Sequence, residues 1–127
     1  MMVDTDVLIW YMRGNEKAKG VIDKLGSFSI SAVTYMEIVQ GIRNAEELKI
    51  LKRFMLQRRV PCLPLDPSTT DRAIYLVERY ALSHGLRFAD ALIAATVDIR
   101  GETLLTANVA HYKMIPGMTL EPFRPGP

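Results

Sequence analysis

The chain has 127 residues, of which 49% are hydrophobic and 24% are charged. That much apolar side chain can form a folded core, which excludes an intrinsically disordered chain. Cys62 is the only cysteine, which excludes a disulfide scaffold, and the longest uncharged stretch (residues 25–36) is too short to cross a membrane. The formal net charge of +2 permits a polyanionic partner but does not require one.

The start of the sequence has Asp4 where a secretory signal would carry Lys or Arg. We therefore expect a cytoplasmic protein with no membrane partner. No linker, repeat or low-complexity segment interrupts the sequence, which predicts a single domain over residues 1–127 with a proline-rich tail from about residue 122.

The predicted elements alternate between strands and helices along the chain. We expect strands at residues 2–3, 28–30, 62–65, 103–106 and 118–120, and helices at residues 7–12, 16–25, 32–43, 45–59, 67–84 and 88–100. Pro64 favours an edge position for the third strand. The alternation predicts an α/β fold with a mostly parallel sheet of four or five strands and right-handed crossovers.

Polar side chains follow two of the predicted strands. The first strand leads into Asp4, Thr5 and Asp6, and the fourth ends at Thr106 and is followed closely by Asn108. In open parallel sheets the ligand site lies beyond the carboxyl ends of the strands. We therefore expect these acids, hydroxyls and amides at the functional edge of the sheet.

Two further carboxylates stand alone among uncharged residues. Glu37 is the only charged residue between Ser31 and Ile42, and Asp90 is the only one between Arg87 and Asp98. Burying a lone carboxylate costs several kcal/mol unless a cation compensates it, and a metal ion does this well.

Each acid also has a structural interpretation. Glu37 fits a capping box with Thr34, Asp90 fits an N-cap or a first-turn acid, and Asp6 fits the cap of a helix that begins at residue 7. Asp4 has no such local explanation, because the neighbouring sequence supplies no partner for a carboxylate at the end of a buried strand.

Four segments, at residues 3–9, 34–38, 89–96 and 104–108, resemble in order and spacing the motif series of the PIN domain. They are most similar to VapC-type toxins of bacterial and archaeal toxin–antitoxin pairs. The resemblance implies that Asp4, Glu37 and Asp90 occupy the metal-binding positions, with Thr5 or Asp6 and Thr106 as supporting polar residues.

The fourth site position, often Asp in the wider family, is Asn108 here, and His111 stands where similar toxins place a later Asp. The resemblance implies an endoribonuclease that uses Mg²⁺, or Mn²⁺ in its place, to activate a water molecule. It also implies products with 5′-phosphate and 3′-hydroxyl ends. The chemistry is consistent, because Mg²⁺ prefers oxygen ligands and converging carboxylates repel one another without a cation.

The resemblance also implies partners: an RNA substrate, a small antitoxin protein and a second copy of the chain in a homodimer. The helix pair predicted between residues 32 and 59 carries Ile38, Leu51 and Phe54, which can line a groove for an amphipathic segment.

Two other functions fit parts of the pattern. A receiver-type phosphoacceptor domain would use Asp4 and Asp6 as its acidic pair, Asp66 as its phosphorylated residue and Thr106 after the fourth strand. A non-catalytic PIN-like binding module would explain the missing fourth acid.

Overall fold

A computed structural model of the chain describes residues 1–126. Its five strands are β1 (Met2–Val3), β2 (Ile30–Ser31), β3 (Cys62–Leu63), β4 (Thr103–Thr106) and β5 (Thr119–Pro122). All the pairings are parallel: β1 with β4, β4 with β5, and β2 with β3. A further parallel bridge between Met2 and Ser29 joins the two sheets, so the strand order is β3-β2-β1-β4-β5. The expected parallel α/β architecture is confirmed, with Pro64 just beyond edge strand β3.

Six helices connect the strands. They are α1 (Thr5–Met12), α2 (Glu16–Leu25), α3 (Ala32–Gln40), α4 (Ala45–Gln57), α5 (Pro67–His84) and α6 (Phe88–Arg100), and a short 3-10 helix follows at Val109–His111. The boundaries have local causes: Asp66 caps α5 through the Thr69 N–H, and Gly101 ends α6 with a φ of 63°. No helix within residues 1–126 combines the length and apolarity needed to span a bilayer.

The core lies on both faces of the sheet because neighbouring side chains of a strand point in opposite directions. Met2 and Leu104 pack with residues of α5 and α6 in one apolar cluster. Val3 and Leu105, the next residues along the same two strands, pack with α1, α2 and α4 in the other cluster. The strands are therefore fixed between two layers of helices, with the carboxyl ends of β1 and β4 side by side.

Several predicted boundaries were wrong. Strand β2 covers Ile30–Ser31 and not residues 28–30, β3 ends at Leu63 and not at residue 65, and α4 ends at Gln57 and not at residue 59. Helix α1 begins at Thr5 with Asp4 as its N-cap, so Asp6 is inside the helix and does not cap it. Helix α3 ends at Gln40, before residue 43, and β5 extends to Pro122 in the tail that was expected to stop it. Proline is tolerated there because β5 is an edge strand. Residue 127, the last of the predicted domain range, lies outside the described residues.

Candidate active site

A cleft of about 910 Å³ opens at the carboxyl ends of β1 and β4, between α1, α3 and α6. Six of the seven predicted site residues line it: Asp4, Thr5, Asp6, Glu37, Asp90 and Asn108. The seventh, Thr106, is fully buried and donates a hydrogen bond to Asp4. Residues that are up to 104 positions apart along the chain therefore meet at one place.

Asp4 is the most deeply buried acid of the cleft, with 4% of its surface exposed. One carboxylate oxygen accepts the Thr5 backbone N–H at 2.8 Å, which caps α1. The other accepts the hydroxyls of Thr106 at 2.8 Å and Tyr112 at 3.1 Å. Burial and the nearby charge of Asp6 nevertheless raise the pKa of Asp4 to about 6, so its ionised form lacks a full compensating charge.

Asp6 connects the end of β1 to the end of β4 through hydrogen bonds. Its Oδ2 accepts the Asn108 side-chain amide at 2.7 Å and the Ala107 backbone N–H at 3.1 Å. Burial raises the pKa of Asp6 as well. The two hydrogen bonds to Asp6 Oδ2 fix Asn108 at the cleft wall, with its amide nitrogen directed at Asp6.

Glu37 is held by Thr5. The Thr5 hydroxyl donates to Glu37 Oε1 at 2.6 Å and lies 3.0 Å from the hydroxyl of buried Thr34. The capping-box interpretation of Thr34 and Glu37 is wrong, because Ser31 already caps α3 by accepting the Val33 N–H.

Asp90 lies in the first turn of α6, as the helix-dipole interpretation predicts, and the N-cap position belongs to Arg87. Asp90 also has partners from elsewhere in the fold. Its Oδ2 is 3.3 Å from His111 Nδ1, and its Oδ1 is 3.4 Å from the Tyr112 hydroxyl.

Tyr112 and His111 are site residues that sequence reasoning missed. Tyr112 is 1% exposed, and its hydroxyl lies within hydrogen-bonding reach of both Asp4 and Asp90. Burial and these acids raise the pKa of Tyr112 far above its usual range, so the phenol remains a neutral donor. The sequence marks His111 only as the residue at the position of a later Asp in similar toxins, and a tyrosine after it has the sequence signature of a core residue.

The donor set suits a hard divalent cation. The cleft offers carboxylate and amide oxygens, and within residues 1–126 no Lys or Arg forms a salt bridge with Asp4, Asp6, Glu37 or Asp90. No three His, Cys, Asp or Glu side chains of the described residues are already arranged to hold an ion. An ion would therefore be held by one or two carboxylates and its own waters, which is the usual mode for Mg²⁺.

The PIN domain family model matches residues 1–114. The chain belongs to the PIN domain family. It is 36% identical over 118 residues to ribonuclease VapC10 of Mycobacterium tuberculosis, covering 90% of this chain and 86% of that protein. It is 29% identical over 122 residues to ribonuclease VapC19 of the same organism, covering 92% of this chain and 95% of that protein.

The solved structures agree with this PIN fold. The DNA-bound VapBC structure from Salmonella typhimurium matches with a TM-score of 0.80 at 23% identity, over 95% of this chain and 96% of that one. The receiver-domain alternative is wrong for this PIN domain. Asp66, its required phosphoacceptor, caps α5 through Thr69 and does not line the cleft.

The first prediction concerns Asp4→Asn in this PIN domain. The folded-state pKa of about 6 exceeds the ordinary 3.8, so ionised Asp4 opposes folding at pH 7 and protonated Asp4 does not at low pH. Asn keeps an oxygen for the Thr5 cap. The Asn amide nitrogen cannot accept the hydroxyls of Thr106 and Tyr112, which costs stability at either pH. We therefore expect the effect of the substitution on the free energy of unfolding in EDTA to be more favourable at pH 7 than at pH 4 by about 2 kcal/mol.

Urea unfolding at the two pH values measures this difference. Asp71→Asn, at an exposed position on α5, serves as the control and should change stability by less than about 0.5 kcal/mol at both. An effect of Asp4→Asn that is the same at both pH values would contradict the account of Asp4.

The second prediction concerns Tyr112→Phe. The lost hydroxyl favours the ionised form of Asp4, so its removal should cost about 1–3 kcal/mol of unfolding free energy at pH 7 and less at pH 4. In an Asp4→Asn background the cost should fall, which a double-mutant cycle measures. Tyr75→Phe, at an exposed tyrosine, is the control. Additive effects in the cycle would mean that the hydroxyl does not act on Asp4.

Proposed function

We propose that this PIN domain is a Mg²⁺-dependent endoribonuclease and the toxin of a type II toxin–antitoxin pair, acting on RNA in the cytoplasm. Mn²⁺ is expected to substitute for Mg²⁺. The proposal is supported by the likeness to the VapC ribonucleases and above all by one observation on the cleft. Asp4, Glu37 and Asp90 line the same cavity, and none of them has a Lys or Arg partner among the described residues.

In this proposal Asp4 and Asp90 hold the cation. The Tyr112 hydroxyl lies 3.1 Å from Asp4 Oδ2 and 3.4 Å from Asp90 Oδ1. These two carboxylate oxygens are therefore no further apart than the sum of the two distances, which suits them to bind one ion. A bound divalent ion supplies activation of a water molecule and neutralises charge on the phosphodiester. Thr106 and Tyr112 orient Asp4, and no nucleophilic side chain is required.

Glu37 and Asn108 are assigned to the water and the scissile phosphate. Thr5 donates only to Oε1 of Glu37, and no donor within residues 1–126 bonds Oε2, which leaves that oxygen for orienting water or accepting its proton. Asp6 holds the amide nitrogen of Asn108, so the amide oxygen is the atom available to a water molecule. Because Asn108 replaces an acid, we propose one tightly held ion rather than two.

The proposed partners are an antitoxin protein and a second copy of the chain. An antitoxin is supported by the VapBC complexes among the structural neighbours and by an apolar cavity of about 390 Å³ between α1, α3 and α4. Ile38, Leu51 and Phe54, the residues expected to line such a groove, line this cavity. Co-purification with the product of an adjacent reading frame tests the antitoxin, and sedimentation equilibrium tests the dimer.

A non-catalytic PIN-like binding module is the second candidate. It is favoured by Asn108 at the fourth position and by the absence, in the described residues, of a preformed three-ligand cluster. It predicts a folded chain that neither binds Mn²⁺ nor cleaves RNA.

The third prediction tests the nuclease directly. The purified chain should cleave single-stranded RNA in Mg²⁺ or Mn²⁺, EDTA should stop cleavage, and the products should carry 5′-phosphate and 3′-hydroxyl ends. Asp4→Asn, Asp90→Asn and Glu37→Gln should each lower kcat by at least about 100-fold, because each removes a charge that the reaction needs. Gel assays measure the cleavage rates, and sequencing of the RNA ends tests the predicted end groups.

The control is Asp71→Asn, which removes an exposed carboxylate that does not line the cleft and should retain full activity. Full activity of the Asp4→Asn or Asp90→Asn variant, with the fold intact, would refute the roles assigned to these carboxylates.

A further inference from the structure

The rim of the cleft carries an exposed aromatic ring. Phe88 is 74% exposed although it lines the same cavity as the acids. The buried side of α6 is formed by smaller residues further along the helix, among them Ala91, Ile93 and Ala94. Phe88 therefore does not belong to the core, and its ring is available to a flat apolar ligand.

The α3 wall of the cleft offers a second exposed apolar side chain. Met36 is 52% exposed and lines the cavity together with Tyr35. Apolar contact area is thus present on two walls around an acidic floor. A ligand that fills the cleft must therefore combine an apolar surface with polar or charged groups that can bind beside the acids and a cation held by them.

Arg87, next to Phe88, is the only Lys or Arg among the described residues that line this cleft. It is exposed, and its side chain forms no salt bridge or hydrogen bond within residues 1–126. A guanidinium group is a good match for a phosphate, which it binds through paired N–H donors.

We propose that Arg87 and Phe88 form a substrate subsite that binds one unstacked nucleotide beside the cleavage position, with Arg87 on its phosphate and Phe88 against its base. The inference rests on the proposed ribonuclease function and restricts it to single-stranded RNA. A paired base in a duplex is stacked on both faces and cannot offer a face to the ring. An apolar peptide would contact Phe88 but would offer no negatively charged group to the neighbouring Arg87 guanidinium.

The fourth prediction uses single-stranded RNA of mixed sequence with 2-aminopurine at its adenine positions, titrated in EDTA so that binding is measured without cleavage. Stacking on Phe88 should quench the fluorescence. Phe88→Ala should weaken binding at least about 5-fold, and Phe88→Trp should retain it. Arg87→Ala should lower the slope of log affinity against log salt by about 0.7, and Arg87→Lys should restore the slope.

Leu82→Ala is the matched control, because Leu82 is a fully exposed apolar residue of α5 that does not line the cleft. It should bind RNA as the unaltered chain does, and a duplex of the same sequence should bind without dependence on Phe88. In the cleavage assay Phe88→Ala should raise KM and leave kcat nearly unchanged.

Two results would overturn the subsite. One is equal RNA affinity of the Phe88→Ala variant and the unaltered chain. The other is a loss of dimer in Phe88→Ala by sedimentation, which would place the ring in a contact between copies. Phe88-dependent binding by a chain that never cleaves RNA would support the subsite and reject the nuclease, so the two failures are distinguishable.

Discussion

The structure depends on one carboxylate that the fold buries without giving it a full counter-charge. Asp4 ends β1, caps α1 and accepts two hydroxyl donors, yet burial and Asp6 still raise its pKa to about 6. Neutral donors stabilise a buried anion less than a charge does. The fold therefore holds an acid whose ionised form is incompletely stabilised, and a divalent cation in the cleft would supply what is missing.

The parallel sheet creates this condition. Strands β1 and β4 are neighbours, so the residues that follow them meet at one edge, and the hydrogen bonds from Asn108 and Ala107 to Asp6 tie the two strand ends together. Helices α3 and α6 then bring Glu37 and Asp90 from the two sides. The same packing leaves Arg87 and Phe88 at the rim of the cleft, where they form the proposed subsite.

Local signals were enough to predict much of the fold. Asp66 with Pro67 fixed the start of α5, and Gly101 fixed the end of α6, because caps act within one helical turn. Glu37 and Asp90 were predicted as site residues because each is the only charged residue in its segment, and this prediction did not require knowing which strands pair. The Tyr112 hydroxyl could not be found in this way, because its contact with Asp4 spans 108 residues and depends on how the short 3-10 helix turns the chain inward.

The most direct test of the central claim is a calorimetric titration of Mn²⁺ at pH 7 into the unaltered chain, Asp4→Asn and Asp71→Asn. The account predicts binding by the unaltered chain and Asp71→Asn, and at least about tenfold weaker binding by Asp4→Asn, because the ligand charge is lost. Binding of Mn²⁺ by Asp4→Asn as tightly as by the unaltered chain, or no binding by either, would contradict it.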